Sequence, residues 1–281
     1  MKLLIVNADD FGLNASANAG IIECYRAGAI TSTTLMANTP GFDEAIDLAA
    51  GNRGLAIGLH FNLTWGKPVS PPELVPTLVT SNGSFHDRAS LGRRAVIGLL
   101  RRDELELELS AQFQRLRSSG LSVSHVDTHQ HVHILPGVFA AIAKLCRREG
   151  LPMRVPWPLR TSSAPLPRRA KRTLMRSLLA PSVYRWAGKV RWNEGLGSVF
   201  DLGTYGGQLG AQQYNEIIGW APAGSFELMV HPVADPAAMD GYTRIGSIGH
   251  AEYLWLRRGE LMELAQAQGF RLGTYADLVT T

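Results

Sequence analysis

Short apolar runs alternate with helical patterns along almost the whole chain, and the unusual polar residues collect at the ends of those runs. The runs are "KLLIVNAD" (2–9), "ITSTTLMAN" (30–38), "LAIGLHFNLT" (55–64), "LSVSHVDTH" (121–129), "LPMRVPW" (151–157), "GSFELMVHP" (224–232) and "FRLGTYADL" (270–278). Each is short, apolar and rich in β-branched or aromatic residues, as a buried strand requires. Between them lie helical patterns such as "NASANAGIIECYRAG" (14–28), "DELELELSAQFQRLRSSG" (103–120) and "GVFAAIAKLCRREG" (137–150). Residues 71–90, with Pro71, Pro72, Pro76, Asn82 and Gly83, read as a loop. Strands alternating with helices imply right-handed crossovers and a parallel sheet. About seven such units predict a closed (β/α) barrel of the TIM-barrel type, with its chemistry at the carboxyl ends of the strands. Asp9, Asp10, His60, Asp127, His129, Arg154 and His231 all fall in or at the ends of predicted strands.

At 281 residues the chain can bury a sizeable core as a single domain spanning 1–281. No apolar stretch approaches the ~20 residues of a membrane span. The opening "MKLLIVNADDFG" reaches Asp9 and Asp10 too early for a signal peptide, so a cytoplasmic location is expected. Cys24 and Cys146 both lie in apolar helical patterns and read as buried free thiols.

The stretch "HVDTHQHVH" holds four of the eight histidines at positions 125, 129, 131 and 133, with Asp127 among them. As a strand, all five would share one face. At ~3.3 Å per residue the outer two would stand ~26 Å apart, so at most two neighbours can reach one ion. The remaining ligands must come from other strands, and Asp10 and His60 are the candidates. One carboxylate and two imidazoles, with positions left open, describe a catalytic rather than a structural metal site.

"LLIVNADDFG", "NAGIIECYRAGAITSTTLMAN", "IGLHFNLTWGKPV", "HVDTHQHVH", "ELMVHP" and "GFRLGTYADL" occur in this order, and together they resemble the YdjC-like carbohydrate deacetylases, which include chitooligosaccharide and hopanoid-biosynthesis deacetylases. The resemblance covers residues 3 to about 150 and about 225 to 278. It implies a (β/α) barrel that removes acetyl groups from N-acetylated sugars with one divalent metal, usually described as magnesium. The ligand chemistry itself favours zinc or another transition ion. The resemblance makes Asp10, His60 and His129 the metal ligands, Asp127 an orienting neighbour, and Asp9 the general base towards a metal-activated water attacking the acetamide. His231 is the best available proton donor to the departing amine. Arg154 is a candidate to fix Asp9 or the substrate, and His125 and His131 are left as candidates around the metal or substrate. His133 is expected beyond the strand end, in a structural or rim position.

The net charge of +4 is unevenly spread. Between Glu149 and Glu194 there are ten basic residues and no acidic one, whereas the rest of the chain carries 18 basic and 24 acidic residues. Residues from about 157 to 205 depart from the family pattern and read as a basic insertion. This segment is open to four readings: a solvated helix packed on the barrel, a homodimer contact or substrate lid, a membrane-surface patch for a lipid-linked sugar, or a nucleic-acid contact. No nucleic-acid motif accompanies the charge, so the last is set aside. Two other functions compete with sugar deacetylation. One is a two-metal amidohydrolase using His129 and His131 as an H-x-H pair, for which no bridging residue is evident. The other is a non-catalytic binding module, which leaves Asp9 and His231 without a role.

Overall fold

A computed structural model describes residues 2–157, 166–202 and 208–278. Seven parallel strands are present among them: β1 (Lys2–Phe11), β2 (Ser32–Leu35), β3 (Ala56–Phe61), β4 (Val123–Thr128), β5 (Gly195–Gly197), β6 (Ser225–Val230) and β7 (Phe270–Gly273). The hydrogen-bonded order is β4-β3-β2-β1-β6-β5, with β7 also on β1. Helices α1 (Ala15–Arg26), α2 (Phe42–Ala50), α3 (Arg88–Val96), α4 (Arg102–Ser118), α5 (Val138–Glu149), α6 (Leu166–Trp186), α7 (Ala211–Gly219), α8 (Gly246–Leu256) and α9 (Leu261–Ala267) complete the described elements. The α/β barrel expected from the alternation is therefore the architecture found.

Closure of the ring is where the strands differ from expectation. "LPMRVPW" supplies one bridging residue, Met153, which pairs with Val126 on one side and Trp192 on the other. Pro152 and Pro156 lack the N–H groups a longer ladder would need. The stave beside β6 is instead β5, inside the segment expected from the sequence to be a basic insertion. Its "GLG" has no apolar period to announce a strand. Close packing explains the glycine at one end, since a Cβ at Gly197 would stand 2.6 Å from the Phe226 ring. Strand β7 pairs with Lys2–Ile5 of β1, whereas β2 pairs with Asn7–Phe11, so β7 sits at the amino end of the barrel. Helix α3 also falls within and beyond the expected loop, its polar sequence giving little apolar period.

Residues pointing outward from the strands, among them Leu4, Val6, Ala8, Leu59, Phe61, Val126, Phe226 and Leu228, form one buried cluster with the helices. Cys24 and Cys146 belong to it as free thiols, and burial raises the proton affinity of both. Leu3, Ile5, Tyr275 and Leu278 form a separate apolar cluster at the amino end of β1. Above it the inward positions are polar and buried: Asn7, Asp9, Ser32, Thr34, His60, His125, Asp127 and Glu227. No helix among the described residues is long and apolar enough to cross a membrane.

Of the basic segment, α6 and β5 are described, and Arg172 pairs with Asp201 at 3.0 Å while Arg176 lies over the Trp157 ring. Arg160 lies outside the described residues, as do residues 203–205 and the side chains of Arg168, Arg169 and Lys171.

Candidate metal centre and active site

In a regular strand Asp9 and Asp10 would face opposite sides of the sheet. Here the register of β1 against β2 slips between Ala8 and Phe11, and Asp10 adopts φ +68°. This bulge turns both carboxylates into the barrel. Asparagine and aspartate tolerate the left-handed region better than other side chains, which suits Asp to this position.

Strand β4 ends at Thr128, and a 3-10 turn runs from His129 to Ile134. Gln130 and His131 both take φ +54° there. The strand, expected to reach His129, thus ends one residue earlier, His133 lies beyond it, and the histidines separate. His129 turns into the site, with Nδ1 2.8 Å from Asp10 Oδ1. His60, near the end of β3, brings Nε2 to 3.2 Å from the same oxygen. The donor atoms of Asp10, His60 and His129 all lie within 4.8 Å of one another, and all three residues are buried. These are the ligands expected from the sequence, now brought together from three strand ends.

The group fits a divalent cation on its own chemistry. His60 Nδ1 lies 2.6 Å from Asp127 Oδ1, while its buried Nε2 has no hydrogen-bond partner. A carboxylate holding one ring nitrogen leaves the other free as a metal donor. Burial opposes charge on His60, but Asp127, Asp10 and Asp9 outweigh it and push its pKa up to about 10. Asp10 goes the other way: burial opposes ionisation, yet His129 and His60 hold it well below the usual carboxylate range.

A second cluster of Asp9, His60 and Asp127 is equally compact. Its cation is already present. Arg154, fully buried, places Nη1 and Nη2 each 2.6 Å from an oxygen of Asp9. The same guanidinium reaches Asp127 Oδ2 at 2.7 Å and Glu227 Oε1 at 2.9 Å through Nε. Tyr275 donates its hydroxyl to the other oxygen of Glu227. Asn7 adds a bond to Asp9 Oδ1 at 2.9 Å, and Thr34 one to Asp127 Oδ2 at 3.0 Å. Burial opposes the charge on Asp9, but Arg154 wins and keeps it ionised far below neutral pH.

His231 follows β6 and stands with Nε2 3.9 Å from Asp9 Oδ2. It is outside both metal-type clusters. Burial lowers its pKa, only partly offset by Asp9 and Asp10. Its backbone N–H donates to Glu252 of α8 at 2.8 Å. Gly249 lets α8 approach, because a Cβ there would be 2.4 Å from the His231 carbonyl oxygen.

The remaining histidines lie apart. His125 is fully buried below the site, bonded to Asn7 Oδ1 at 3.1 Å and Ser124 at 2.8 Å and stacked on Tyr275 at 4.0 Å. Gly58 makes room for it, since a Cβ there would be 2.5 Å from its ring. Burial, followed by the charge of Arg154, holds the His125 pKa well below the usual imidazole range. His131 lies edge-on to His133, 5.9 Å between rings, and burial lowers its pKa to about 3. His133 is buried rather than on the rim, bonded through Nδ1 to Thr128 Oγ1.

Glu227, Tyr275, Asn7, Thr34 and Glu252 carry the support of this site without having been singled out from the sequence. Glu227 had a visible signal, an acid in the middle of "SFELMV", which a buried strand does not carry without a partner. Glu252 is also fully buried, and burial raises its pKa to about 8. Its folded proton affinity exceeds the unfolded one, so its contribution to stability is full below about pH 4.5 and is lost as pH rises to about 8. Glu252→Gln removes this loss and keeps an acceptor for His231 N–H. The variant should therefore gain stability relative to wild type from pH 5 to pH 8, by up to about 1.4 kcal/mol per pH unit. Urea melts at the two pH values measure it. A wild-type minus variant difference independent of pH would place the Glu252 proton elsewhere.

The profile of the YdjC-like protein family matches residues 3–267. A chitooligosaccharide deacetylase of Proteus mirabilis is 34% identical over 99% of both chains. A carbohydrate deacetylase of Geobacillus stearothermophilus is 44% identical, the match spanning 57% of this chain and 61% of that one. A crystal structure from Enterococcus faecalis, provisionally described as a cellobiose-phosphate cleavage protein, superposes with a TM-score of 0.80 at 26% identity over 98% of each chain. Family profile, full-length similarity and fold agree: the chain belongs to the YdjC-like family.

Proposed function

We propose that this protein hydrolyses the acetamide of an N-acetylated sugar, using one divalent metal held by Asp10, His60 and His129. The observation that carries this reading is the placement of a carboxylate, Asp9, 3.9 Å from an imidazole, His231, beside that ligand group. The names of the Proteus and Geobacillus relatives support the substrate class. When bound, the cation would polarise the acetamide carbonyl and make water a better nucleophile near neutral pH.

Asp9 accepts the proton that the attacking water loses as it bonds to the carbonyl carbon. The Arg154 fork lowers the basicity of Asp9, so that proton is passed on rather than retained. His231, 3.9 Å from Asp9, accepts it and carries it to the amine nitrogen as the C–N bond breaks. The products are acetate and a free amino sugar, and both groups return to their starting states. Magnesium and zinc both suit the proposal, and the ligand set of two imidazoles leans to a transition ion. The N-acetylglucosamine oligomers named for the relatives are the first substrates to try. His131 stands outside the ligand group and offers no support for a two-metal H-x-H site.

Acetate release from such oligomers, with and without chelator, tests the function. Activity lost with chelator and restored by one equivalent of divalent metal is the expected result. His129→Ala should lose metal and activity together. Full metal occupancy in that variant would remove His129 from the ligand set, and chelator-insensitive release would remove the metal from the reaction.

A further inference from the structure

Helix α3 and the start of α4 are joined by an apolar turn between arginines, "RRAVIGLLRR" from Arg93 to Arg102. Soluble proteins bury such residues, but here Val96 is 75% exposed, Ile97 68% and Leu99 47%. The turn itself is made at Gly98, with φ +73°. Helix α3 packs on the 3-10 turn that carries His129, so the apolar turn belongs to the carboxyl-end side of the barrel.

The arginines lead directly into a cation-lined pocket. Arg102, Lys144, Arg147, Arg185 and Lys189 surround a cavity of about 340 Å³, with Ser182, Ala140 and Trp186 and, among the described residues, no acidic one in its lining. Glu106 touches Lys144 at 2.7 Å and Arg102 at 3.1 Å, neutralising part of that charge. Helix α6, which supplies Arg185 to this pocket, also exposes Leu174 (59%) and Leu178 (64%). At helical spacing Leu174, Leu178 and Arg185 lie along one face. Arg102, three residues after Leu99, thus links the apolar turn to the cation-lined pocket, and α6 carries both exposed leucines and a pocket arginine.

We propose that this surface docks on an anionic lipid bilayer, the Val96–Leu99 turn entering the headgroup region and the pocket taking lipid phosphates. Charge complementarity favours this occupant. A second copy of the chain meeting the same face would bring like charges together, whereas an anionic surface satisfies both the cations and the convex apolar turn. The inference is independent of the deacetylase reading, since it rests on exposed residues outside the catalytic cluster.

Sedimentation of the full chain with vesicles tests it, comparing phosphatidylglycerol-containing with pure phosphatidylcholine vesicles at 20 and 500 mM salt. Binding to anionic vesicles should be at least about tenfold stronger than to neutral ones and should weaken at high salt. Val96→Ser/Ile97→Ser/Leu99→Ser, changing exposed positions only, should lose binding about tenfold or more. Arg185→Glu/Lys189→Glu should abolish the anionic preference. Melting curves like wild type confirm that both variants are folded. Soluble glycerol phosphate in excess should compete only weakly, because it lacks the apolar contact. Absence of vesicle binding at low salt overturns the proposal, as does unchanged binding by either folded variant. Full competition by glycerol phosphate would replace it with a small-anion site, and conversion of a dimer to a monomer by the serine variant, with vesicle binding intact, would replace it with a subunit contact.

Discussion

Asp9→Asn should lower kcat by about 10²- to 10⁴-fold while leaving the metal content unchanged, as removal of a general base does. Both oxygens of Asp9 are held by Arg154, and one faces His231 at 3.9 Å. The amide of asparagine fits the same space but cannot take a proton from water. Asp10, His60 and His129 keep their mutual contacts in the variant, so metal measured by elemental analysis separates a lost base from a lost site. If Asp9 and His231 serve one proton path, His231→Ala should lower kcat more than it raises KM, and the double variant should lose less than the product of the two single losses. Near-wild-type kcat in Asp9→Asn at saturating substrate would make Asp9 structural. Metal-free His231→Ala would make His231 a ligand.

The second large effect falls on stability. Arg154→Met should destabilise the fold by about 3–5 kcal/mol at neutral pH, the loss typical of breaking a buried ion pair on one side. Asp9, Asp127 and Glu227 would then share the barrel interior without their common cation. The pH dependence gives the sign. In wild type the folded Asp9 has a depressed proton affinity, so its contribution is present above the unfolded pKa and is lost on acidification. Without Arg154, burial raises the folded affinity of Asp9 instead, and raises that of Glu227 further. Their contribution then survives below the unfolded pKa and is lost as pH rises. The gap between wild type and variant should widen from pH 4.5 to pH 8 in urea unfolding. Arg154→Lys keeps a charge but not the three-way fork, and should fall between the two. A gap below 1 kcal/mol, or one that narrows with pH, would mean that the acids are neutral already.

Local patterns were enough to show the barrel class and the residue types of the site. Apolar runs of strand length, separated by helical patterns, determine that a parallel sheet forms and that its polar residues meet at one end. Asp10 and His60 were legible as candidates because buried strands do not carry such groups idly, and the family resemblance singled out His129 from its cluster. The ring closure was not legible: two prolines shorten one stave to Met153, and "GLG" carries no period. Nor was the exposure of Val96 and Ile97, since an apolar residue in a sequence reads as core until its neighbours are known. The histidine cluster shows the limit most clearly. Strand periodicity gives all five groups one face, but left-handed backbone at Gln130 and His131 ends the strand and turns only His129 to the ligands. The β1 bulge likewise brings Asp9 and Asp10 inward together, against alternation. Arg154 joins Asp9, Asp127 and Glu227 across sequence separations of 145, 27 and 73 residues. Sequence determined which groups are present and at which strand ends; only tertiary packing decided which face one another, because bulges, turns and long-range ion pairs have no local period.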